Sequence, residues 1–266
     1  MTWNIWHGGL HGPKSINFEQ DTSYTENVLN VIQMEDPDLL LMQETYCCGM
    51  EIAKEAGFDY SWRSSSNLSI HSKYPIIDTL NIFKPFNSQG AIIDVNGQQF
   101  LFVNLWLHYL PDYFNDIKTM SVEDLIQNEY ATRLSEIQNI IKEVNVLSDS
   151  LNIPIVIGGD FNSGSHLDWI ESTKAMHYNK VIEWPVSKFM TKEGFKDSFR
   201  EVHNDPTNSL EGTWGFLNDD IISDRIDYIY FRGEQLTPIE SKIVLEDPPN
   251  GFFNSDHRAI STIFNF

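Results

Sequence analysis

The chain has 266 residues, 41% of them hydrophobic and 13% aromatic, which is enough to bury a sizeable core and lies outside the range of disordered chains. Its 18 basic residues against 38 acidic ones leave a formal net charge of -20, which argues against the broad basic face that long duplex nucleic acid requires. The two cysteines, Cys47 and Cys48, are adjacent; this excludes a disulfide framework and a Cys-rich zinc site and reads as two ordinary thiols.

The chain opens into a strand-like segment, Met1 to Trp6, with no cationic n-region or apolar h-region before it, and no apolar run approaches the length of a membrane span. The expectation is a soluble protein, cytoplasmic by default, or secreted if a signal peptide has been removed. Thr25 to Met34 places Val28, Val31, Ile32 and Met34 on one helical face, ended by Asp36-Pro37. Leu39 to Met42 follows as a short strand buried on both faces. Asn67 to Ile70 and Ala91 to Val95 are further strands, and Asn96-Gly97 is a two-residue hairpin signal leading into Gln99 to Leu107. Glu123 to Val146 reads as one long helix and Ile153 to Ile157 as another buried strand. Arg225 to Phe231 and Arg258 to Phe264 are β-rich, separated by a polar, Pro-rich connection. With no internal repeat and no linker-like stretch, residues 1–266 read as a single α/β domain, and the hairpins argue against a purely parallel sheet.

Polar residues recur at the ends of these strands, where a sheet presents them at one rim. Asn4 interrupts an apolar strand although Asn is depleted from strands. Glu44 stands where a buried strand ends, a position for a hard-metal carboxylate or simply for a solvated acid. In Gly158-Gly159-Asp160-Phe161-Asn162 the glycines allow close backbone approach while Asp160 and Asn162 project in the same sense; the string also suits an Asx-turn. Asp227 sits inside an apolar β run, and Ser255-Asp256-His257 offers a histidine whose tautomer a buried aspartate would fix, as a general base needs. Singly, each has an ordinary structural reading.

Together and in this order, the segments resemble the endonuclease/exonuclease/phosphatase superfamily, above all Gly-Asp-Phe-Asn at 159–162, Arg-Ile-Asp-Tyr-Ile at 225–229 and Ser-Asp-His at 255–257. The resemblance implies a four-layer α/β sandwich, two packed mixed β-sheets flanked by helices, with the active site at one end. It also implies that Glu44 binds an essential divalent ion, Mg²⁺ or Mn²⁺, with Asn4 beside it and Asp256 as a further contributor. Asp160 and Asn162 would then position the attacking water and the phosphate oxygens, and His257, oriented by Asp227, would act as base or phosphate partner. One shared ion is the economical expectation. Relatives carry Asn-Thr-His-Leu where this chain reads Asn104-Leu105-Trp106-Leu107-His108, so Trp106 occupies the usual histidine position. His108, one strand repeat further on, is the candidate for a leaving-group or transition-state role.

The implied activity is metal-dependent hydrolysis of a phosphate ester by direct water attack, and the acidic charge favours a small-molecule, sugar or lipid-headgroup phosphodiester or phosphomonoester. The alternatives are a nuclease on short or single-stranded nucleic acid, and a catalytically silent binding module of the same fold. The aromatic loop from Tyr109 to Phe114, with Trp214 and Phe216, would suit a lipid headgroup, a sugar or a nucleobase equally.

Overall fold

The computed structural model describes residues 1–11, 23–217, 222–249 and 251–266. In chain order the strands are β1 (Thr2–Asn4), β2 (Leu39–Gln43), β3 (Tyr60–Trp62), β4 (Leu68–Ser72), β5 (Ile76–Asn81), β6 (Ser88–Val95), β7 (Gln98–Trp106), β8 (Ile155–Asp160), β9 (Lys196–Asp197), β10 (Asp227–Arg232), β11 (Thr237–Ile243) and β12 (Ile260–Asn265). The helices are α1 (Trp6–Gly9), α2 (Tyr24–Glu35), α3 (Gly49–Glu55), α4 (Tyr113–Asp116), α5 (Val122–Ala131), α6 (Arg133–Leu151), α7 (Pro185–Lys192) and α8 (Ser198–Val202). The strands form two six-stranded sheets, ordered β11-β12-β1-β2-β4-β3 and β5-β6-β7-β8-β10-β9. Each is mixed: β1 runs parallel to β2 and β7 parallel to β8, while the other named pairs are antiparallel.

The alternation of side chains along β7 sets the layering. Leu101, Val103 and Leu105 point outward into a core shared with Leu134, Ile137, Ile140 and Ile141 of α6. Phe100 and Phe102 point the other way, into the interface between the sheets, where they join Leu41, Ile70, Val156, Ile229 and Ile260. On the far side of the first sheet, Val28, Val31 and Ile32 of α2 pack against Trp3, Leu40 and Met42. The result is the expected helix, sheet, sheet, helix sandwich. Gly158 and Gly159 of β8 are required by close approach: a Cβ at Gly158 would meet Leu41 Cδ1 at 2.6 Å across the interface, and one at Gly159 would meet the Leu105 carbonyl at 2.0 Å.

Several expectations need correction. The single helix from Glu123 to Val146 is two, because Thr132 leaves the helical region (φ -125, ψ -88). The break lets Leu125 of α5 pack with Trp169, Ile182 and Trp184, while α6 covers the second sheet. The Pro-rich connection after β10 contains β11, an edge strand whose mostly exposed, polar face hides it from a search for apolar runs. Cys47 and Cys48 are not two thiols; they are joined to each other in a disulfide between adjacent residues, just beyond Glu44. Elsewhere the boundaries shift by a few residues, as strand and helix ends do.

Candidate active site

The strand ends that carry the polar residues meet at one rim of the sandwich, and the register explains how. In the second sheet, Trp106 of β7, Asp160 of β8 and Asp227 of β10 are lateral neighbours, each pair in register. Asn104 and Gly158, two residues back, face the first sheet, so by alternation the three side chains also leave on the inter-sheet face. Opposite them, Asn4 closes β1 and Glu44 follows β2. Beneath the rim lies a buried polar floor. Gln43 donates to Asn104 Oδ1 at 2.6 Å and to Thr2 Oγ1 at 3.0 Å, and Asn104 donates to the carbonyls of Met42 and Ser69.

Asn4 is the bridge across the rim. Its Nδ2 donates to Asp160 Oδ2 at 3.1 Å and to Glu44 Oε1 at 3.2 Å, while its Oδ1 accepts from the Trp6 backbone N–H at 3.0 Å. As placed, the amide ties the two carboxylates together and turns its oxygen to the backbone. Glu44 adopts a left-handed backbone conformation (φ 54), which costs energy in a non-glycine residue. Its Oε2 accepts from the His7 N–H at 3.1 Å. Asn162, also left-handed (φ 49), donates its backbone N–H to Asp160 Oδ1 at 2.9 Å and its amide to the Leu107 carbonyl. The Asx-turn is therefore present and fixes the Asp160 carboxylate.

His257 completes the cluster. Its loop is clamped to β1: Ser255 Oγ donates to the Asn4 carbonyl at 2.7 Å and accepts from His257 N–H at 3.0 Å, and Trp3 Nε1 donates to the His257 carbonyl at 2.9 Å. The imidazole Nδ1 lies 2.9 Å from Asp227 Oδ2, and Nε2 faces Asp160 Oδ2 at 3.8 Å. Burial alone would lower the pKa of this imidazole, but Asp227, then Asp160 and Asp256, outweigh it and hold the group well above its ordinary value. Burial, with Asp227 adding to it, pushes the Asp160 carboxyl up against the opposing pull of His257. Asp256 accepts from Trp214 Nε1 at 3.3 Å, and burial pushes its carboxyl up as well.

The donors suit a hard divalent cation. Asp160, Asp227 and His257 offer ligand atoms within 4.8 Å of one another. Buried carboxylate oxygens Asp227 Oδ1 and Asp256 Oδ1 have no hydrogen-bond partner, and an uncompensated buried acceptor of this kind is what a cation satisfies. Glu44 stands across the Asn4 bridge from this group. His108 lies apart from it, past the end of β7, with its ring stacked on Tyr109 and its Nδ1 accepting from the Leu110 N–H at 3.0 Å. A cavity of about 370 Å³ lies at the opposite end of the sandwich, between the sheets and lined by Leu39, Phe100, Val156 and Phe264. It contains none of these groups.

Residues 1–257 match the Endonuclease/Exonuclease/phosphatase family. The chain belongs to that family. Its members are metal-dependent phosphoesterase hydrolases, and this chain is a hydrolase of the same class. An uncharacterized protein of Caenorhabditis elegans, F14F9.5, is 26% identical over 262 residues, covering 88% of this chain and 78% of its own. Two solved structures share the fold. TDP2 of D. rerio, complexed with single strand DNA product, superposes with a TM-score of 0.63 at 14% identity, covering 100% of this chain and 97% of its own. A mannosyl-6-phosphatase of Bacteroides thetaiotaomicron does so with a TM-score of 0.63 at 15% identity, covering 100% and 98%.

Sequence reasoning missed the polar floor and the anchoring of the site's edge. Gln43 and Asn104 were readable as polar residues inside apolar strands, the same signal that singled out Asn4. The salt-bridged Arg225, with Nε and Nη2 on Asp168 and Nη1 2.7 Å from Asp197 Oδ2, had no local signal, because its partners are far away in the sequence.

Proposed function

We propose that this chain, acting as one catalytic unit, uses Mg²⁺ or Mn²⁺ to hydrolyse a small phosphate ester, a sugar- or lipid-linked monoester or diester, by direct attack of water. The observation that carries the reading is the Asp227–His257 pair at 2.9 Å with Nε2 facing Asp160 in a buried cluster that also has unpartnered carboxylate oxygens. Asp227 fixes the proton on Nδ1; in the charged ring that the surrounding carboxylates favour, Nε2–H donates to a phosphate oxygen, and only the neutral ring can take a proton from water at Nε2. Asp160, pinned by the Asn162 N–H and the Asn4 amide, orients the water. Asn162 is assigned to the phosphate oxygens, and a divalent ion would be held by Glu44 and Asp256 beside the carboxylate oxygens of Asp160 and Asp227, with Asn4 bridging Glu44 and Asp160. When bound, the ion would supply charge neutralisation on the phosphoryl oxygens. His108 is assigned to the departing group, at the outer rim. The fold-level likeness to a mannosyl-6-phosphatase suits a sugar phosphate, and the net charge of -20 disfavours long duplex nucleic acid.

Hydrolysis of p-nitrophenyl esters in oxygen-18-labelled water tests the chemistry. Direct attack predicts one labelled oxygen in the phosphate product, none in the phenol, and no phosphorylated protein by intact-mass analysis after quenching. Label in the phenol, or a protein phosphorylated in step with turnover, contradicts it.

A further inference from the structure

The position next to Asp160 carries a flat aromatic surface. Trp106 ends β7 with its Cα in register with Asp160, and its side chain leaves the sheet on the same face. It is partly exposed, as is His108, while Tyr109 and Phe86 are 50% and 42% exposed. Phe86 meets Trp106 edge-on at 5.9 Å, Tyr109 lies 6.3 Å from it, and Tyr109 stacks on His108 at 5.3 Å with an interplanar angle of 8°. These rings are neighbours rather than core residues.

Their backbone is held from behind. Trp106 N–H donates to the Asn87 carbonyl at 2.9 Å, and Asn87 Nδ2 donates back to the Trp106 carbonyl at 3.2 Å. Arg133, fully buried at the start of α6, donates one nitrogen to the carbonyls of His108, Tyr109 and Pro111 at 3.3, 3.0 and 3.1 Å. Glu136, one turn on, accepts the His108 N–H at 2.8 Å. A surface that exposes aromatic faces while its backbone is tied to a buried guanidinium is preorganised, so little ordering entropy is lost when a ligand ring lands on it.

We infer that Trp106, with Tyr109, His108 and Phe86, forms a stacking subsite for a planar ring, aryl or nucleobase, carried by the phosphate ester that the neighbouring cluster hydrolyses. The inference rests on the proposed reading of that cluster. Stacking on aromatic faces is sequence-tolerant and strong for any π system, and the flat face offers an aliphatic chain only its area. The charge of -20 opposes both a polyanion and an anionic bilayer, and among small esters a planar ring gains most from the exposed aromatic faces. The indole beside Asp160 thus gives the site an aromatic specificity wall.

The test is calorimetric binding to the full chain with Mg²⁺, using three non-hydrolysable ligands: phenylphosphonate, a phosphonate analogue of adenosine 5′-monophosphate, and butylphosphonate. All share the anionic head, and the first two separate aryl from nucleobase. At least one ring ligand should bind about tenfold more tightly than butylphosphonate, the range of base stacking on aromatic side chains. In Trp106→Leu that ratio should fall to within about twofold, and in Tyr109→Ala, an exposed position that keeps the fold, it should fall part of the way. Equal affinity for ring and alkyl ligands, no binding of either ring ligand, or a ring preference intact in both variants overturns the inference. So does co-sedimentation with neutral phosphatidylcholine vesicles without ring selectivity, which would make the wall a membrane collar. Turnover of phenyl phosphate and of diphenyl phosphate by the wild type with Mg²⁺, measured separately, tells the two failures apart: ring selectivity with turnover of neither ester sinks the hydrolytic reading alone, and turnover without ring selectivity sinks the subsite alone.

Discussion

His257 and His71 are both buried, and their surroundings drive them in opposite directions. His257 faces three carboxylates that outweigh the cost of burying its charge. His71, fully buried on β4 beside the Phe58 ring, meets hydroxyls at both nitrogens, with Ser61 Oγ 2.7 Å from Nδ1 and Ser69 Oγ 2.7 Å from Nε2, and burial lowers its pKa to about 3. Its folded-state pKa lies below its unfolded value of 6.5, so the fold favours the neutral ring. The associated stability is fully present above pH 6.5 and is lost as pH falls from there toward 3, at about 1.4 kcal/mol per pH unit. Urea unfolding of wild type and His71→Gln at pH 7 and pH 5 should show the variant losing about 2 kcal/mol less on acidification. Equal pH dependence would mean that folding leaves the pKa of the ring unshifted. None of this was visible in the sequence, where His71 reads as one of eight histidines. Glu44, Asp160, Asp227 and His257 were readable because Glu44 and Asp160 lie at strand ends, Asp227 interrupts an apolar β run, and together with Ser-Asp-His at 255–257 their order resembles the family, but the Asn4 bridge needed the third dimension.

At the scale of elements, the site depends on where β10 begins. Arg225, two residues before Asp227, is fully buried, with its guanidinium on Asp168 and Asp197, and Asp168 is shared with Arg200. Thr213 Oγ1 accepts from both Ile226 and Asp227 N–H, so the same segment is fixed from two sides. Removing one partner of such a buried network leaves unpaired charge, at a cost of about 3–5 kcal/mol. Arg225→Met should lower unfolding free energy by that amount in urea titration, and a loss under about 1 kcal/mol would show that the network is not what anchors the strand. The strands of the inter-sheet core were legible because burial on both faces leaves short apolar runs. The break at Thr132 was not, because apolar periodicity runs on through Leu125 and Leu134 on either side of it. The edge strand β11 was hidden for the opposite reason, having too little burial to leave a pattern.

Over the whole molecule, the two sheets divide the labour. The first brings Asn4 and Glu44 to the rim, the second brings Trp106, Asp160 and Asp227, and the loop before β12 delivers His257 between them. The cavity at the opposite end of the sandwich, lined by apolar residues with Glu35, Asp38 and Lys242 among its polar ones, carries none of this set. Among the described residues no helix is long and apolar enough to cross a membrane. The layering was legible from the mixture of hairpins and buried strands together with the family resemblance, whereas which residues face one another across the interface follows only from register.

The central claim is that the buried cluster around His257 hydrolyses phosphate esters with the help of a divalent ion. It is tested most directly by turnover of p-nitrophenyl phosphate and bis-p-nitrophenyl phosphate with Mg²⁺ and with chelator, in wild type, Glu44→Gln and His257→Ala. The account predicts turnover that chelator abolishes and that falls about 10²–10⁴-fold in His257→Ala, with a comparable loss in Glu44→Gln. Turnover that persists in chelator, or that is near normal in either variant, would contradict it.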